Sequence, residues 1–432
     1  MSEPDFHDAH EGSNFGPLVL SVYSVASYAA FFLVNAVLAR NLPIEQFNDY
    51  NVGVSTLLML AALTPLGLEK FALKILPALN ERESWAHSRG FLRFSMLTVL
   101  FVGLVLLVAF DSILESVLVL RGSDYHISIP IVVACLPFAS LFFVLLEIAT
   151  AYGAPLAAAG LYRVAFPLLL LVLNAAVWLS SKDMTGITAS LCYAMAWILV
   201  TVAMWLLTRK MMPNQVSAAE PVYERLEWLK ESTPLLLYSL LMTIMVQSGV
   251  VILQLDTTSK QDTSIFAIAM QTGAFVVALA TSTNRFYLPQ VSVFLERHDH
   301  EGIIRLGRQR MMLMGTLAGL FVLVVVLFGR PILRVFGEDF EKGYAATCVI
   351  AIGAAVSTLF SVAPYALQFA GRHRLVIKSS ILATVASIIL CAVLAGPYGS
   401  LGAAIAYSVP TVILFAYLSF SGWSQLRNAS LE

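Results

Sequence analysis

The chain has few charged residues. Of its 432 residues only 12% are Asp, Glu, Lys or Arg, whereas about 25% is usual for a soluble domain. The hydrophobic residues, 59% of the chain, fall in blocks of about 20, the length of an α-helix that crosses the bilayer core. The short alternating segments of a β-barrel are missing. The composition therefore excludes a soluble globular protein and predicts an all-α integral membrane protein.

Cysteine and catalytic motifs are also scarce. Four cysteines (Cys135, Cys192, Cys348 and Cys391) stand singly in apolar blocks without metal-ligand spacing, so we expect them to pack in the core. There is no G-x-x-x-x-G-K-[ST] motif for ATP and no hydrolase, kinase or transferase signature. The longest loops between predicted spans have roughly 25 residues. They carry no cluster of acidic residues, which a membrane-embedded transferase would need for catalysis. We therefore expect a protein that is not an enzyme and has no cofactor.

Hydropathy predicts twelve spans. Their expected bounds are 16–39, 47–67, 91–110, 129–152, 156–179, 186–208, 233–255, 264–284, 311–329, 345–369, 376–395 and 398–420. Lys and Arg collect on the cytoplasmic side of short loops. With both termini inside, only seven of the 26 Lys and Arg residues fall outside, namely Arg40, Arg121, Lys182, Lys260, Arg330, Arg334 and Lys342. This distribution predicts cytoplasmic N- and C-termini.

The most basic stretch of the chain is residues 285–310, RFYLPQVSVFLERHDHEGIIRLGRQR, which holds five arginines among aromatic residues. Because it lies between predicted spans eight and nine, its arginines are explained by topology, and nucleic acid is not an expected partner. The start of this loop and the start of 70–94 are both amphipathic. Each predicts a short helix on the inner leaflet.

The two halves of the chain are similar. When the chain is slid along itself by about half its length, Phe71 falls on Phe286 and Arg82 on Arg297 without a gap. Six spans in each half make parallel repeats, an organisation found in alternating-access transporters. We expect an N-lobe at 1–208 with helices 1–6, a cytoplasmic linker at 209–232, and a C-lobe at 233–432 with helices 7–12.

Two stretches resemble a known family. Residues 38–71, LARNLPIEQFNDYNVGVSTLLMLAALTPLGLEKF, and residues 364–409, PYALQFAGRHRLVIKSSILATVASIILCAVLAGPYGSLGAAIAYSV, resemble the Wzx-type polysaccharide flippases. These form one branch of the MOP superfamily, which also contains MATE exporters and lipid II flippases. The resemblance implies two pseudo-symmetric six-helix lobes around a central cavity. It also implies that an undecaprenyl-diphosphate-linked oligosaccharide moves between leaflets and that basic residues meet its diphosphate.

Polar residues within the spans are the candidate site residues. A charge at the bilayer centre costs roughly 2.5–3.5 kcal/mol on insertion scales, so each needs a partner or a wet cavity. Glu147 and Arg163 lie on adjacent predicted helices at similar depth and could form an ion pair. Arg163 would then either hold the two helices together or bind a phosphate of the substrate. Lys70 and Arg285 are repeat-equivalent and could meet a diphosphate or anchor their spans.

Amides form the rest of the predicted site. They would supply donors and acceptors for a sugar, or bond between helices: Asn35, Asn174, Gln254, Gln271 and Gln368. Glu147 and Asp256 are the candidates for coupling to a proton or sodium gradient.

Together these features predict a flippase for a polyprenyl-diphosphate-linked oligosaccharide, with a MATE-like exporter of small cationic or amphipathic compounds as the alternative. Basic residues at the inner face and few carboxylates in the spans favour the anionic substrate. The expected location is the bacterial cytoplasmic (inner) membrane. The expected partners are the lipid-linked glycan, the bilayer, and a polysaccharide polymerase with export proteins.

Overall fold

The computed structural model describes residues 15–121, 128–181, 184–255, 260–334 and 338–429. Every regular element in these ranges is helical, which confirms the predicted fold class. The helices of the first half are α1 (Phe15–Asn41), α2 (Ile44–Leu63), α3 (Leu68–Glu81), α4 (Trp85–Arg121), α5 (Ser128–Val133), α6 (Leu136–Ala151), α7 (Pro155–Gly160), α8 (Phe166–Ser181), α9 (Gly186–Met211) and α10 (Asn214–Ala218). A π-helical turn, Leu161–Ala165, joins α7 to α8.

The remaining helices are mostly long. They are α11 (Arg225–Leu255), α12 (Lys260–Glu296), α13 (His300–Arg334), α14 (Tyr344–Leu359), α15 (Ala363–Phe369) and α16 (His373–Ala429), with a 3-10 turn at Glu338–Gly343. The chain divides into two compact units, Met1–Thr233 and Pro234–Glu432. Each unit has its own apolar clusters of buried side chains.

In the described ranges, ten helices are long and apolar enough to cross a membrane, and one bent pair, Asp49–Leu63 with Leu68–Glu81, also qualifies. The helix α16 has 57 residues and is kinked at Gly399. At 1.5 Å per residue it would be roughly 85 Å long, far more than the roughly 30 Å of a bilayer core. Counting α16 as two spans and the bent pair as one gives the twelve predicted spans of a multi-pass membrane protein.

The break between α2 and α3 is the local feature that positions the site in the first unit. Leu66 and Gly67 have positive φ values of 52° and 80°, and the two helices meet at 44°. A left-handed backbone ends a helix because it cannot continue the right-handed turn. The next helix, α3, is amphipathic, and its buried face packs on α6.

The second unit lacks this break. Residues 285–296, predicted to form a separate surface helix, instead continue α12 to Glu296, so that prediction was wrong. The sequence there has Thr281 and Ser282 where the first unit has Leu66 and Gly67. No residue between 260 and 296 has a positive φ, so the helix continues.

The segment predicted as a linker, 209–232, packs on the first unit. The Val222 amide donates to the Ala86 carbonyl at 3.1 Å, and Arg89 donates to the Ala219 carbonyl. Trp228 is 1% exposed and meets the Phe91 ring edge-on at 5.5 Å. These contacts explain why the boundary between the units falls after Thr233.

The kink in α16 depends on a glycine. Gly399 has φ 53° and ψ −131°, a backbone conformation that residues with a Cβ atom rarely adopt. A Cβ there would lie 2.7 Å from the Asp262 carboxylate, which accepts a hydrogen bond from the Ser400 amide at 3.1 Å. The turn between the two spans of α16 is therefore fixed against the start of α12.

We expect Gly399→Ala to destabilise the protein by about 1–3 kcal/mol, because it adds backbone strain and displaces Asp262. The measurement is the melting temperature of the purified protein in a neutral detergent. Gly319→Ala is the matched control, since a Cβ at Gly319 meets nothing within 4 Å. Equal melting temperatures for the two variants would contradict this explanation of the kink.

Candidate functional site

The first unit contains a buried ion pair between α3 and α6. The Lys70 Nζ atom lies 2.6 Å from Glu147 Oε1, and the two side chains are 23% and 2% exposed. Lys70 is in the first turn of α3, directly after the Leu66–Gly67 break. The break thus turns this lysine toward Glu147, a residue far away in the sequence.

A second carboxylate lies in the same turn. Glu69 precedes Lys70, and its Oε2 atom is buried without a hydrogen-bond partner among the described residues. A helix N-terminus stabilises negative charge, which favours an acidic residue in the first turn of α3. The arrangement places one lysine beside two carboxylates in a low-dielectric region.

Burial makes the pair between Lys70 and Glu147 a strong constraint. Removing one member of a buried ion pair usually costs about 3–5 kcal/mol, because the other charge is left uncompensated. Lys70 is the more exposed partner and can still reach water with its long side chain. Glu147 cannot, so its ionised state depends on its neighbours.

Arg163 lies in the π-helical turn between α7 and α8. Its guanidinium carbon is 5.3 Å from the centre of the Tyr162 ring. Such π-helical turns are rare and occur often at functional sites. The predicted pairing of Arg163 with Glu147 stays a prediction, and Lys70 is the partner of Glu147 that the sequence did not indicate.

Aromatic side chains pack beside this turn. Trp197 lies 4.5 Å from the Phe166 ring and 5.5 Å from Phe142, and Tyr162 lies 5.5 Å from Phe143, measured between ring centres. Aromatic faces bind both cations and sugar rings. The first unit therefore combines an ion pair, an arginine and an aromatic cluster.

The second unit has a neutral counterpart of the ion pair. Phe71 falls on Phe286 when the second half is shifted by 215 residues. With a shift of 214 residues, Lys70 falls on Asn284 and Glu147 falls on Ser361. The Asn284 amide donates to the Ser361 hydroxyl at 3.2 Å, and the sequence separation is the same as that of Lys70 and Glu147. The second unit thus has a neutral polar contact with the same sequence separation as the ion pair of the first unit.

Arg310 binds to this neutral pair. Its Nη2 atom donates to Asn284 Oδ1 at 2.7 Å and to Ser361 Oγ at 2.6 Å. The carbonyls of Thr358 and Leu359, at the end of α14, accept further bonds from Nη2 and Nη1. Arg310 is 3% exposed. All its acceptors in the part of the chain that the structure describes are neutral.

The sequence alone assigned Arg310 to a cytoplasmic loop, where it counted as a topology residue. The structure places it inside α13, directly before the apolar block of predicted span nine. In the register that pairs Phe71 with Phe286, the first unit has Ser95, also buried, at the position of Arg310. The exchange of serine for arginine between the repeats was the signal that could have identified it.

The other predicted site residues divide by burial. Arg285 is buried, and so is Asn174, whose amide donates to the Leu170 carbonyl of its own helix at 2.8 Å. Asn35 and Gln271 are exposed. The side chain of Gln254 and all of Asp256 lie outside the described residues. Lys70 and Glu147 are thus the predicted residues that the structure shows in direct contact.

Gln368 is the most unusual of the predicted amides. It is 0% exposed, and neither its oxygen nor its nitrogen has a hydrogen-bond partner in the described ranges. A buried polar group without a partner costs about 1–3 kcal/mol. An unpartnered buried amide in a native protein needs an explanation. One explanation is that the Gln368 amide forms its hydrogen bonds in a second conformation of the protein.

Solved structures of transporters share this fold. The Vibrio cholerae MATE transporter VcmN in the bent form is 15% identical, with 96% of this chain and 97% of that chain covered and a TM-score of 0.78. An outward-facing multidrug resistance MATE family transporter of the MOP superfamily is 11% identical, with 96% of each chain covered and a TM-score of 0.78.

A MOP superfamily transporter from Pyrococcus furiosus is 10% identical, with 96% of each chain covered and a TM-score of 0.80. For that protein, a reversed polarity of the binding pocket suggests a different function. No protein-family model and no curated protein sequence matches this chain. The fold is therefore that of the MATE and MOP-superfamily transporters.

We expect Lys70→Met to destabilise the protein by about 3–5 kcal/mol, since it leaves Glu147 charged and buried without its lysine. Glu147→Gln should cost less, because Lys70 can reach water. The melting temperature of each purified variant is the measurement. Lys74→Met is the control, because Lys74 is about as exposed as Lys70 but its partner Glu231 is 34% exposed, whereas Glu147 is 2% exposed. Glu231 therefore keeps contact with water when its lysine is removed, and the loss should be smaller. A Lys74→Met loss as large as that of Lys70→Met would contradict this ranking.

We expect Gln368→Leu to raise the melting temperature, since it removes an unsatisfied buried amide with little change in volume. If Gln368 meets substrate in another conformation, the same variant will transport less. Gln290→Leu is the control, because the Gln290 amide already donates to the Phe286 carbonyl at 3.1 Å. A less stable Gln368→Leu protein would show that the amide has a partner in the native state.

Proposed function

We propose that this chain is a membrane transporter that moves a polyprenyl-diphosphate-linked oligosaccharide across the membrane by alternating access. The fold supports the transporter class. The sign of the buried charges is the observation that supports an anionic substrate. The proposed location is the bacterial cytoplasmic membrane, with both termini inside and a polysaccharide polymerase and export proteins as partners.

The buried charged side chains in the described ranges are Glu147, Arg285 and Arg310. The single carboxylate lies against Lys70, whereas the acceptors that surround Arg310 in the same ranges are neutral. Glu69 and Lys70, both partly buried, carry opposite charges and leave this balance unchanged. The balance of buried charge, two arginines against one glutamate, favours a diphosphate over a cationic drug.

Within the first unit, Lys70 and Arg163 are the proposed diphosphate ligands. Arginine can bind phosphate oxygens with two parallel hydrogen bonds, and lysine adds a compact charge. Protonation of Glu147 would remove one of the two carboxylate charges beside Lys70 and break its ion pair, which makes the ammonium group available to the diphosphate. In this way a proton gradient could be coupled to substrate binding, with no cofactor. A sodium ion bound to Glu147 would likewise neutralise its charge and weaken its ion pair with Lys70.

The alternative is an exporter of cationic or amphipathic compounds. The aromatic cluster around Trp197 favours it, because aromatic faces attract organic cations. The solved MATE structures also share the fold. On this alternative Glu147, released from Lys70, would be the substrate carboxylate.

The test is a reconstituted flipping assay with an undecaprenyl-diphosphate-linked oligosaccharide, run beside efflux of a cationic dye from the same proteoliposomes. We expect movement of the lipid-linked sugar and none of the dye. Efflux of the dye alone would overturn the proposal in favour of the exporter.

If Arg163 binds the diphosphate, Arg163→Ala should lower flipping at least about tenfold, the loss expected for one charge-assisted contact. Arg163→Lys should recover part of the rate, because it keeps the charge but loses the paired geometry. Arg209→Ala is the matched control, since Arg209 also stacks on an aromatic ring, Trp205, at 4.8 Å but is exposed. Full activity of folded Arg163→Ala protein would remove Arg163 from the mechanism.

A further inference from the structure

The second unit contains an apolar cavity that Arg310 lines and that includes neither of the proposed diphosphate ligands, Lys70 and Arg163. Its volume is about 330 Å³, and it is lined by residues of α12, α13, α15 and α16 together with the end of α14. Most lining side chains are aliphatic, among them Val291, Ile304 and Leu367. Sites for small molecules have volumes of roughly 300–1,000 Å³ and are mostly apolar with a few polar groups. This cavity has the size and lining of such a site.

The cavity has basic side chains in its lining and no acidic ones among the described residues. The basic side chains are Arg310, Arg372 and His300. The combination of an aliphatic wall and arginines without a carboxylate selects for a molecule with an apolar body and a negative head. A cation would meet repulsion, and a small inorganic anion would leave the apolar wall uncovered.

Arg310 has a hydrogen to donate. Its Nη1 atom carries two hydrogens and has one acceptor among the described residues, the Leu359 carbonyl at 2.8 Å. The neutral acceptors around it hold its position but do not cancel its charge. A buried arginine is normally paired with an anion, because the cost of removing its charge from water is large. An anion in the cavity would supply the missing charge.

We propose that this cavity binds an amphipathic anion of the lipid class, a single acyl or prenyl chain with a phosphate or carboxylate head directed to Arg310. The small volume favours one chain over the two-chain body of a phospholipid. The inference shares with the proposed function the uncompensated charge of Arg310, but it does not need transport, since a protein that flips nothing could still bind such a molecule. It concerns the second unit alone.

A purely structural role of Arg310 makes a different prediction. If Arg310 only ties α12 and α13 to the end of α14, the cavity has no preference for a negative head. Because Arg310→Gln could also impair folding, the cavity is better closed from a wall position that forms no bond to Arg310. Gly307 lines the cavity on α13, and leucine there adds helix propensity while filling the space.

The experiment is native mass spectrometry of the full chain in a neutral maltoside detergent, with dodecyl phosphate as the probe. We expect a one-to-one adduct that is lost in Gly307→Leu and kept in Gly319→Leu. Gly319 lies on the same helix, and a Cβ atom added there by substitution would meet nothing within 4 Å. Dodecanol and inorganic phosphate should each bind at least about tenfold more weakly, because each lacks one half of the recognition.

Two results would overturn the proposal. The first is an adduct of unchanged strength in Gly307→Leu, which would place the probe elsewhere. The second is equal binding of dodecanol and dodecyl phosphate, which would show that Arg310 has no part in recognition. Where Arg310→Gln folds, it should weaken dodecyl phosphate about tenfold and leave dodecanol unchanged. Equal weakening of both would contradict the proposed role of its charge.

Discussion

A charge inside a membrane helix needs a compensating group, and this constraint organises the first unit. Glu147 is almost fully buried, so it must be paired or protonated. Its lysine partner comes from α3, a helix that exists separately from α2 because the backbone turns left-handed at Leu66 and Gly67. The helix break, the packing of α3 on α6 and the buried ion pair therefore depend on one another.

The two units show how a duplicated chain can diverge in charge while keeping its helices. The first unit has the contact between Lys70 and Glu147 after a helix break, whereas the second unit has a contact between Asn284 and Ser361 and no such break. Arg310 then adds a charge where the first unit has Ser95. One unit holds a compensated pair and the other an arginine among neutral acceptors. This asymmetry is the basis of both proposals, the anionic transport substrate and the anionic ligand of the cavity in the second unit.

Hydropathy was sufficient to predict the helical class and the twelve spans, because span length and the pairing of backbone groups in lipid are local properties. It could not predict that Lys70 meets Glu147, since periodicity does not tell which helices pack together when they are distant in the sequence. Arg310 was taken for a loop residue because hydropathy detects only the apolar part of α13, which begins at His300, ten residues before Arg310. The separate helix predicted at 285–296 was wrong because an amphipathic pattern does not show where a backbone breaks.

Buried basic charge is proposed to select a diphosphate, and one comparison tests this most directly. Flipping of the diphosphate-linked oligosaccharide is measured against flipping of the same glycan joined to the same polyprenyl chain through a neutral linkage, in one set of proteoliposomes. We predict that the diphosphate substrate moves and that the neutral analogue does not compete with it. Equal rates for the two would contradict the proposal, because they would show that the glycan and the chain are recognised without the charge.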